Sequence, residues 1–362
     1  MNPYRRDTLL AGMLGHEDRF IGLRDELEWV LARVSEARPS AVSLVGPVGV
    51  GKSFLVTYLA DRQGARRAFR HALGERFADD PDRLLFVMLD FEGAMLSQGA
   101  EPHLIDLLYQ KTLERLAELL GVPDVRLVPF DDIPKQRAAS AKALRAEAQR
   151  QLARAREEDD DAALCARFER AFGTVAIEAL PKLLKYLECW GLRVVFLIDD
   201  FDNIITKLDK DDFDHLRALL MGASLVIVTR KALSKLVPAE IQTSPFFNLV
   251  QRLDLRSLYF WPVEEARRVI IEPPKWIAGA PVQFSESDVD FILELTGLHP
   301  DLIVRACDDL YLRYRRQPPA PGSDVLPPAD RQFERARLRA LFDGSFAAWW
   351  YSLSEAERTM LG

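Results

Sequence analysis

One segment constrains this chain more than any other: Gly46-Pro47-Val48-Gly49-Val50-Gly51-Lys52-Ser53, which follows the short apolar run Ala41–Val45 and precedes a stretch of helical period. The spacing G-x-x-x-x-G-K-S between a strand and a helix is that of a phosphate-binding loop. Glycine lets the backbone turn its N–H groups inward, and the helix that starts near Gly51 aims its positive end at the bound anion. The Lys52 ammonium then reaches the outer phosphates, while the Ser53 hydroxyl ligates Mg²⁺. The loop residues from Gly46 to Ser53, with the following Phe54, are therefore expected to bind a nucleoside triphosphate. ATP and ADP with Mg²⁺ are the expected ligands.

Such a loop requires a parallel sheet, and the rest of the chain supplies one. Apolar, β-branched runs recur at 84–89, 194–198 and 225–228, with a weaker one at 249–255, and helical segments separate them. Unbroken apolar runs of this kind mark strands covered on both faces. The 362 residues exceed what one core usually serves, so several units are expected. The reading is an N-terminal segment at 1–16, an α/β domain at 17–258 and a helical domain at 259–317. A proline-rich linker at 318–329 and the start of a further unit at 330–362 follow. Within the α/β domain, residues 130–165 form a charged helical insertion rich in Ala, Arg and Gln, expected to be solvated. Helices are expected at 263–272, 285–296 and 301–315, whereas the prolines 318, 319, 321, 327 and 328 cannot continue one.

Composition excludes several classes. The three cysteines stand far apart, so neither a disulfide framework nor a structural zinc site is indicated. The apolar runs fall well short of the ~20 residues that span a bilayer. No membrane association is expected, and a cytoplasmic protein fits. A net charge of −7 sits poorly with a nucleic-acid binder.

The run 193–198 ends in Asp199-Asp200, where a phosphate-loop protein needs its second metal contact. Asp199 is assigned to the Mg²⁺ shell, and Asp200 is placed to orient or deprotonate the water that attacks the γ-phosphate. Aspartate is a short base for that task, so turnover is expected to be slow. The next run ends in Thr229-Arg230, and Arg230 is a candidate sensor of the γ-phosphate. Lys52, Asp200 and Arg230 form the expected catalytic set. Thr206-Lys207-Leu208-Asp209 loosely matches a guanine-recognition motif, but it lacks the buried strand that should precede it, so adenine is the expected base.

On these residues the chain resembles the signal-transducing ATPases with numerous domains (STAND), which are close to the AAA+ and origin-recognition ATPases. The opening FIGLRDEL is similar to the family pattern F-x-G-R-x-x-E-L, with Leu23 in place of the usual arginine. The stretch LTGLHPDLI resembles the family's G-x-P region. The resemblance implies that Phe20 and Ile21 lie against the adenine, that Pro300 approaches it from a helical lid, and that the tail starts a winged-helix unit. It further implies a slow ATPase switch, closed with ADP and open with ATP, that self-associates to signal through an effector or sensor protein, plausibly in bacterial defence. Two other readings stay open at this point. One is a DNA-associated AAA+ ATPase, an origin-recognition-like loader or a transcription regulator. The other is a nucleotide-binding scaffold that does not hydrolyse. The aromatic group Phe346, Trp349, Trp350 and Tyr351 is expected in a core.

Overall fold

A computed structural model of the chain describes residues 1–91, 104–130, 140–254, 262–316, 318, 320 and 323–352. By packing, it divides into two units. One comprises Met1–Asp25, Gly46–Leu55 and Asp254–Gly362, and the other Glu26–Val45 and Val56–Leu253.

The second unit is built on a five-stranded sheet in the order β2-β3-β4-β1-β5. Its strands are β1 (Ala41–Val45), β2 (Leu84–Asp90), β3 (Arg193–Asp199), β4 (Ala223–Thr229) and β5 (Val250–Asp254). The ladders β1–β4, β2–β3 and β3–β4 are all parallel. Every residue of β1, β3 and β4 is buried, which explains their unbroken apolar reading. The strand that precedes the glycine loop and the strand that ends in paired carboxylates are not neighbours, because β4 lies between them.

Polar groups inside this unit fix the position of β1. The buried Arg193 guanidinium donates to the carbonyls of Glu36 and, at 3.0 Å, Ala37, just past the helix Arg24–Val34. The Ser224 hydroxyl of β4 accepts from the Ser40 amide at 3.2 Å. These bonds hold the approach to β1 against β3 and β4. Orphaned carbonyls at a helix end would otherwise be costly to bury.

Helices α1 (Arg6–Met13), α2 (Arg24–Val34) and α3 (Lys52–Ala60) precede β2. Between β2 and β3 come α4 (Leu104–Leu120), α5 (Ala141–Glu158), α6 (Asp161–Phe172) and α7 (Ala176–Cys189). The expected charged insertion is helical, and residues 131–139 of it lie outside the described residues. It is not solvated all round: α5 buries Ala141, Leu144, Ala148, Leu152 and Ala155 along one stripe. Three of these five residues are alanines, which bury a face with few large side chains, so the stripe escaped a search for bulky apolar residues. Phe130, Phe168, Phe172, Tyr186 and Trp190 form an aromatic cluster beside it, with Phe130 stacked on Trp190 at 5.1 Å.

After α8 (Lys210–Leu219) and β5, the chain is helical in α9 (Val263–Lys275), α10 (Glu286–Thr296), α11 (Pro300–Tyr314) and α12 (Arg331–Ser352). The proline-rich stretch is docked at its end. The buried Asp288 carboxylate, which also caps α10, accepts from the amides of Val325 at 2.8 Å and Leu326 at 2.9 Å. Of the unit expected from residue 330, α12 is described, and the motif LSEAERTML from 353 onward lies outside the described residues. Phe346, expected in a core, is 45% exposed, and the side chains of Trp349, Trp350 and Tyr351 lie outside the described residues.

Phe196 sits in mid-β3 with no exposed surface. Phe196→Ala is expected to lower the unfolding free energy by about 3–5 kcal/mol, read from the urea midpoint at unchanged slope.

Candidate nucleotide site

Each unit carries one part of the candidate machinery. In the sheet unit the parallel register brings strand ends to a common edge: Val45 pairs with Thr229, Ile198 with Ile227, and Asp90 with Asp199. Asp199 is 1% exposed at the end of β3, and its carboxylate accepts the Asp200 amide at 3.0 Å. Asp200 follows at a φ of 49°, in the left-handed region, where a non-glycine residue is held at a cost of roughly 1 kcal/mol.

Asp200 meets the candidate sensor. Arg230 Nη2 lies 3.5 Å from Asp200 Oδ1, and the Arg230 amide donates to Asp202 at 2.9 Å. The Arg230 side chain is 42% exposed, so the pair is held loosely and contributes at most about 1 kcal/mol. Thr229 Oγ1 is buried at the same edge with no hydrogen-bond partner among the described residues. An orphaned hydroxyl there suits a polar ligand. Asp90 was not picked out in sequence, although β2 ends in an aspartate just as β3 does. The Thr206-Lys207-Leu208-Asp209 segment does ordinary structural work: Asp209 is the N-cap of α8, in a capping box with Asp212.

The other unit holds the glycine loop. Gly49 and Gly51 have φ of 79° and 103°, conformations that a side chain would strain. Lys52 is 7% exposed, and its ammonium donates at 2.7 Å to the carbonyls of both Gly46 and Pro47. An incoming phosphate would compete for the same protons. Arg6 of α1 donates to the Ser53 carbonyl at 3.2 Å, on the first turn of α3.

The segment from Phe20 to Leu23 packs in the same unit. Phe20, Ile21 and Leu23 are 2%, 4% and 5% exposed. Gly22 and Leu23 take successive left-handed conformations, with φ of 70° and 49°. The Gly22 amide donates to Glu265 of α9 at 3.0 Å, and Arg268 joins Glu265 to the Asp18 carbonyl at 3.1 and 2.7 Å. Leu23, which stands where the family pattern has arginine, reaches to 3.1 Å of the position a Cβ on Gly51 would take. An apolar contact thus replaces whatever a guanidinium would do at that position.

Pro300 is buried in the first turn of α11, and its neighbours face the loop. A Cβ on Gly49 would lie 2.7 Å from His299 Cε1 and 2.9 Å from Asp301 Cβ. The His299 imidazole donates to the Val48 carbonyl. Burial pushes its pKa below the ordinary value, against the opposing pull of Asp301 and of that hydrogen bond. His299 and Asp301 lie inside the LTGLHPDLI stretch but had no role there, and Glu265 carried no signal, since only the fold brings them to Gly49 and Gly22.

A model of the AAA ATPase domain matches residues 19–228, more than half of the chain. The chain belongs to the AAA ATPase domain family. Among solved structures, it is similar to the Orc1 protein of Aeropyrum pernix, determined in complex with DNA, at 13% identity and a TM-score of 0.46. That match covers 88% of this chain and 66% of Orc1. No curated protein matches the chain. In this AAA ATPase domain the strand–loop–helix element belongs to a sheet in which β4 separates the loop strand from the acidic strand.

Gly49 tests how closely the loop is packed. Gly49→Ala is expected to destabilise the protein by about 1–2 kcal/mol or more, from strain at positive φ and from the clash with His299 and Asp301. A lowered thermal midpoint would show it.

Proposed function

We propose that this AAA ATPase domain is a nucleotide-controlled switch of the STAND type, which binds Mg²⁺ with ATP or ADP, hydrolyses ATP slowly and changes its self-association with nucleotide state. The observation that carries this reading is the packing of the α11 N-terminus onto the glycine loop through His299, Asp301 and Gly49. A helix seated on the phosphate loop must respond to what the loop binds, and ATP and ADP shift such an equilibrium only if they bind its two states unequally.

The residues take these roles in the proposal. Loop amides from Gly46 to Ser53 and the Lys52 ammonium hold the phosphates, with Phe20, Ile21 and Pro300 toward the base and Phe54 behind the loop. Ser53 and Asp199 supply oxygen ligands suited to Mg²⁺. Among the described residues no cluster of three or more His, Cys, Asp or Glu side chains could cage a metal. Mg²⁺ usually takes only one or two side-chain oxygens and completes its shell with substrate phosphates and water. When bound, it neutralises charge developing on the phosphoryl oxygens. Asp200 accepts a proton from, or orients, the attacking water, and Arg230 exchanges between Asp200 and the γ-phosphate. The output passes to an effector or sensor protein in bacterial defence or signal transduction, and the protein acts in the cytoplasm. No described helix is long and apolar enough to cross a membrane.

The DNA-associated reading would draw on arginine clusters such as Arg66-Arg67-Ala68-Phe69-Arg70 and Arg313-Tyr314-Arg315-Arg316, and several arginines in or beside them already have acidic or carbonyl partners. Arg62 and Arg67 each contact Asp82 at 3.0 Å, Arg66 donates to the Leu84 carbonyl, and Arg313 pairs with Glu334. Burial by itself would raise the Asp82 pKa, but these arginines hold it below the usual carboxylate range.

Turnover and sedimentation test the proposal together. The parent is expected to release phosphate from ATP slowly, and Asp200→Asn to release it at least about 10²-fold more slowly while still binding ATP. Asp200→Asn held with ATP should sediment as a larger species than the parent held with ADP. Equal turnover in parent and variant would instead favour the non-hydrolysing scaffold, and identical sedimentation with ATP and ADP would remove the switch.

A further inference from the structure

We propose that His299 is the latch of this switch: its imidazole ties the start of α11 to the tip of the glycine loop, and nucleotide exchanges through the state in which that tie is broken. The inference rests on the nucleotide-binding reading above and gives a positioning role to a residue that had none in the sequence motifs.

The geometry is specific. His299 occupies the N-cap position of α11, yet its side chain makes no capping bond to the helix. It turns to the loop instead, 7% exposed, and donates to the Val48 carbonyl. Its ring lies so close to Gly49 that a Cβ there would stand 2.7 Å from Cε1, a contact open only to glycine. Gly49, at φ 79°, is one of the residues whose amides would cradle a phosphate. A group bonded next to it therefore responds to any movement the loop makes on binding one. The charged side chain acting on His299 is Asp301, itself drawn aside by Arg305 at 2.8 Å. The loop tip from Pro47 to Val50 faces it with no titratable side chain, only the Val48 carbonyl.

This arrangement fixes the sign of a pH dependence. The imidazole is buried neutral, and burial is the largest influence lowering its pKa. Released to water, it returns to about 6.5. The tie is thus fully present above that value and is lost as pH falls below it, because the open state then binds the proton that the closed state refuses.

The test is release of N-methylanthraniloyl-ADP, loaded with Mg²⁺ onto the full chain and chased with excess ATP, followed by stopped-flow fluorescence from pH 6.0 to 8.0. The parent is expected to release at a rate nearly constant above pH 7.5 and about fourfold faster at pH 6.0, the factor given by protonation of a group near 6.5. His299→Gln should release faster than the parent at pH 7.5 and show no acid rise, with its circular dichroism unchanged. A flat parent profile, or an acid rise that survives in His299→Gln, overturns the latch. Lys52→Ala separates the two claims. If the parent binds the probe, Lys52→Ala does not, and the acid rise is missing, the latch alone fails. If the parent binds no nucleotide, the site reading fails and the latch fails with it.

Discussion

A parallel sheet delivers the carboxyl ends of its strands to one edge, and the chemistry proposed for this protein depends on that delivery. The register is explicit: β4 pairs with β1 on one side and with β3 on the other, so Val45, Thr229 and Ile198 end within a residue or two of each other along the sheet. The glycine loop then begins at the next residue after β1, and the two carboxylates close β3. No side chain of the strands is spent on chemistry before that edge. β1, β3 and β4 are wholly buried and act as a rigid mount.

Backbone strain is found in both units. Asp200 and Leu23 are held at positive φ without being glycine, and Gly49 and Gly51 occupy backbone conformations that few other residues accept. Lys52, whose long side chain would normally reach water, is buried on two backbone carbonyls. Such features persist only where the structure around them over-determines them. On the proposed reading, a phosphate takes over the polar groups of the loop and Arg230 gives up a weak partner.

The sheet was legible because covered strands read as continuous apolar runs, and the loop because its glycines sit at fixed spacing from Lys52 and Ser53. The acidic end of β3 was legible for the same reason. Other features were not. The buried face of α5 is written in alanines, which carry little signal beside the arginines around them. The proline-rich stretch reads as a linker from composition, yet Asp288, some forty residues away in the chain, pins Val325 and Leu326 by their backbone amides. His299 was hidden by its neighbour: Pro300 has a motif to announce it, whereas the histidine acts through a contact with Val48 and Gly49 that only folding creates. Leu23 shows the converse, since the departure from the family pattern was visible but its packing toward Gly51 was not.

The central claim is that the loop from Gly46 to Ser53 holds an adenine nucleotide with Mg²⁺. Its most direct test is to purify the protein without added nucleotide, denature it, and identify what is released by chromatography, then reload the stripped protein with Mg-ATP and repeat the measurement. The account predicts adenine nucleotide, approaching one per chain after reloading. Release of guanine nucleotide alone, or no nucleotide even after reloading, would contradict it.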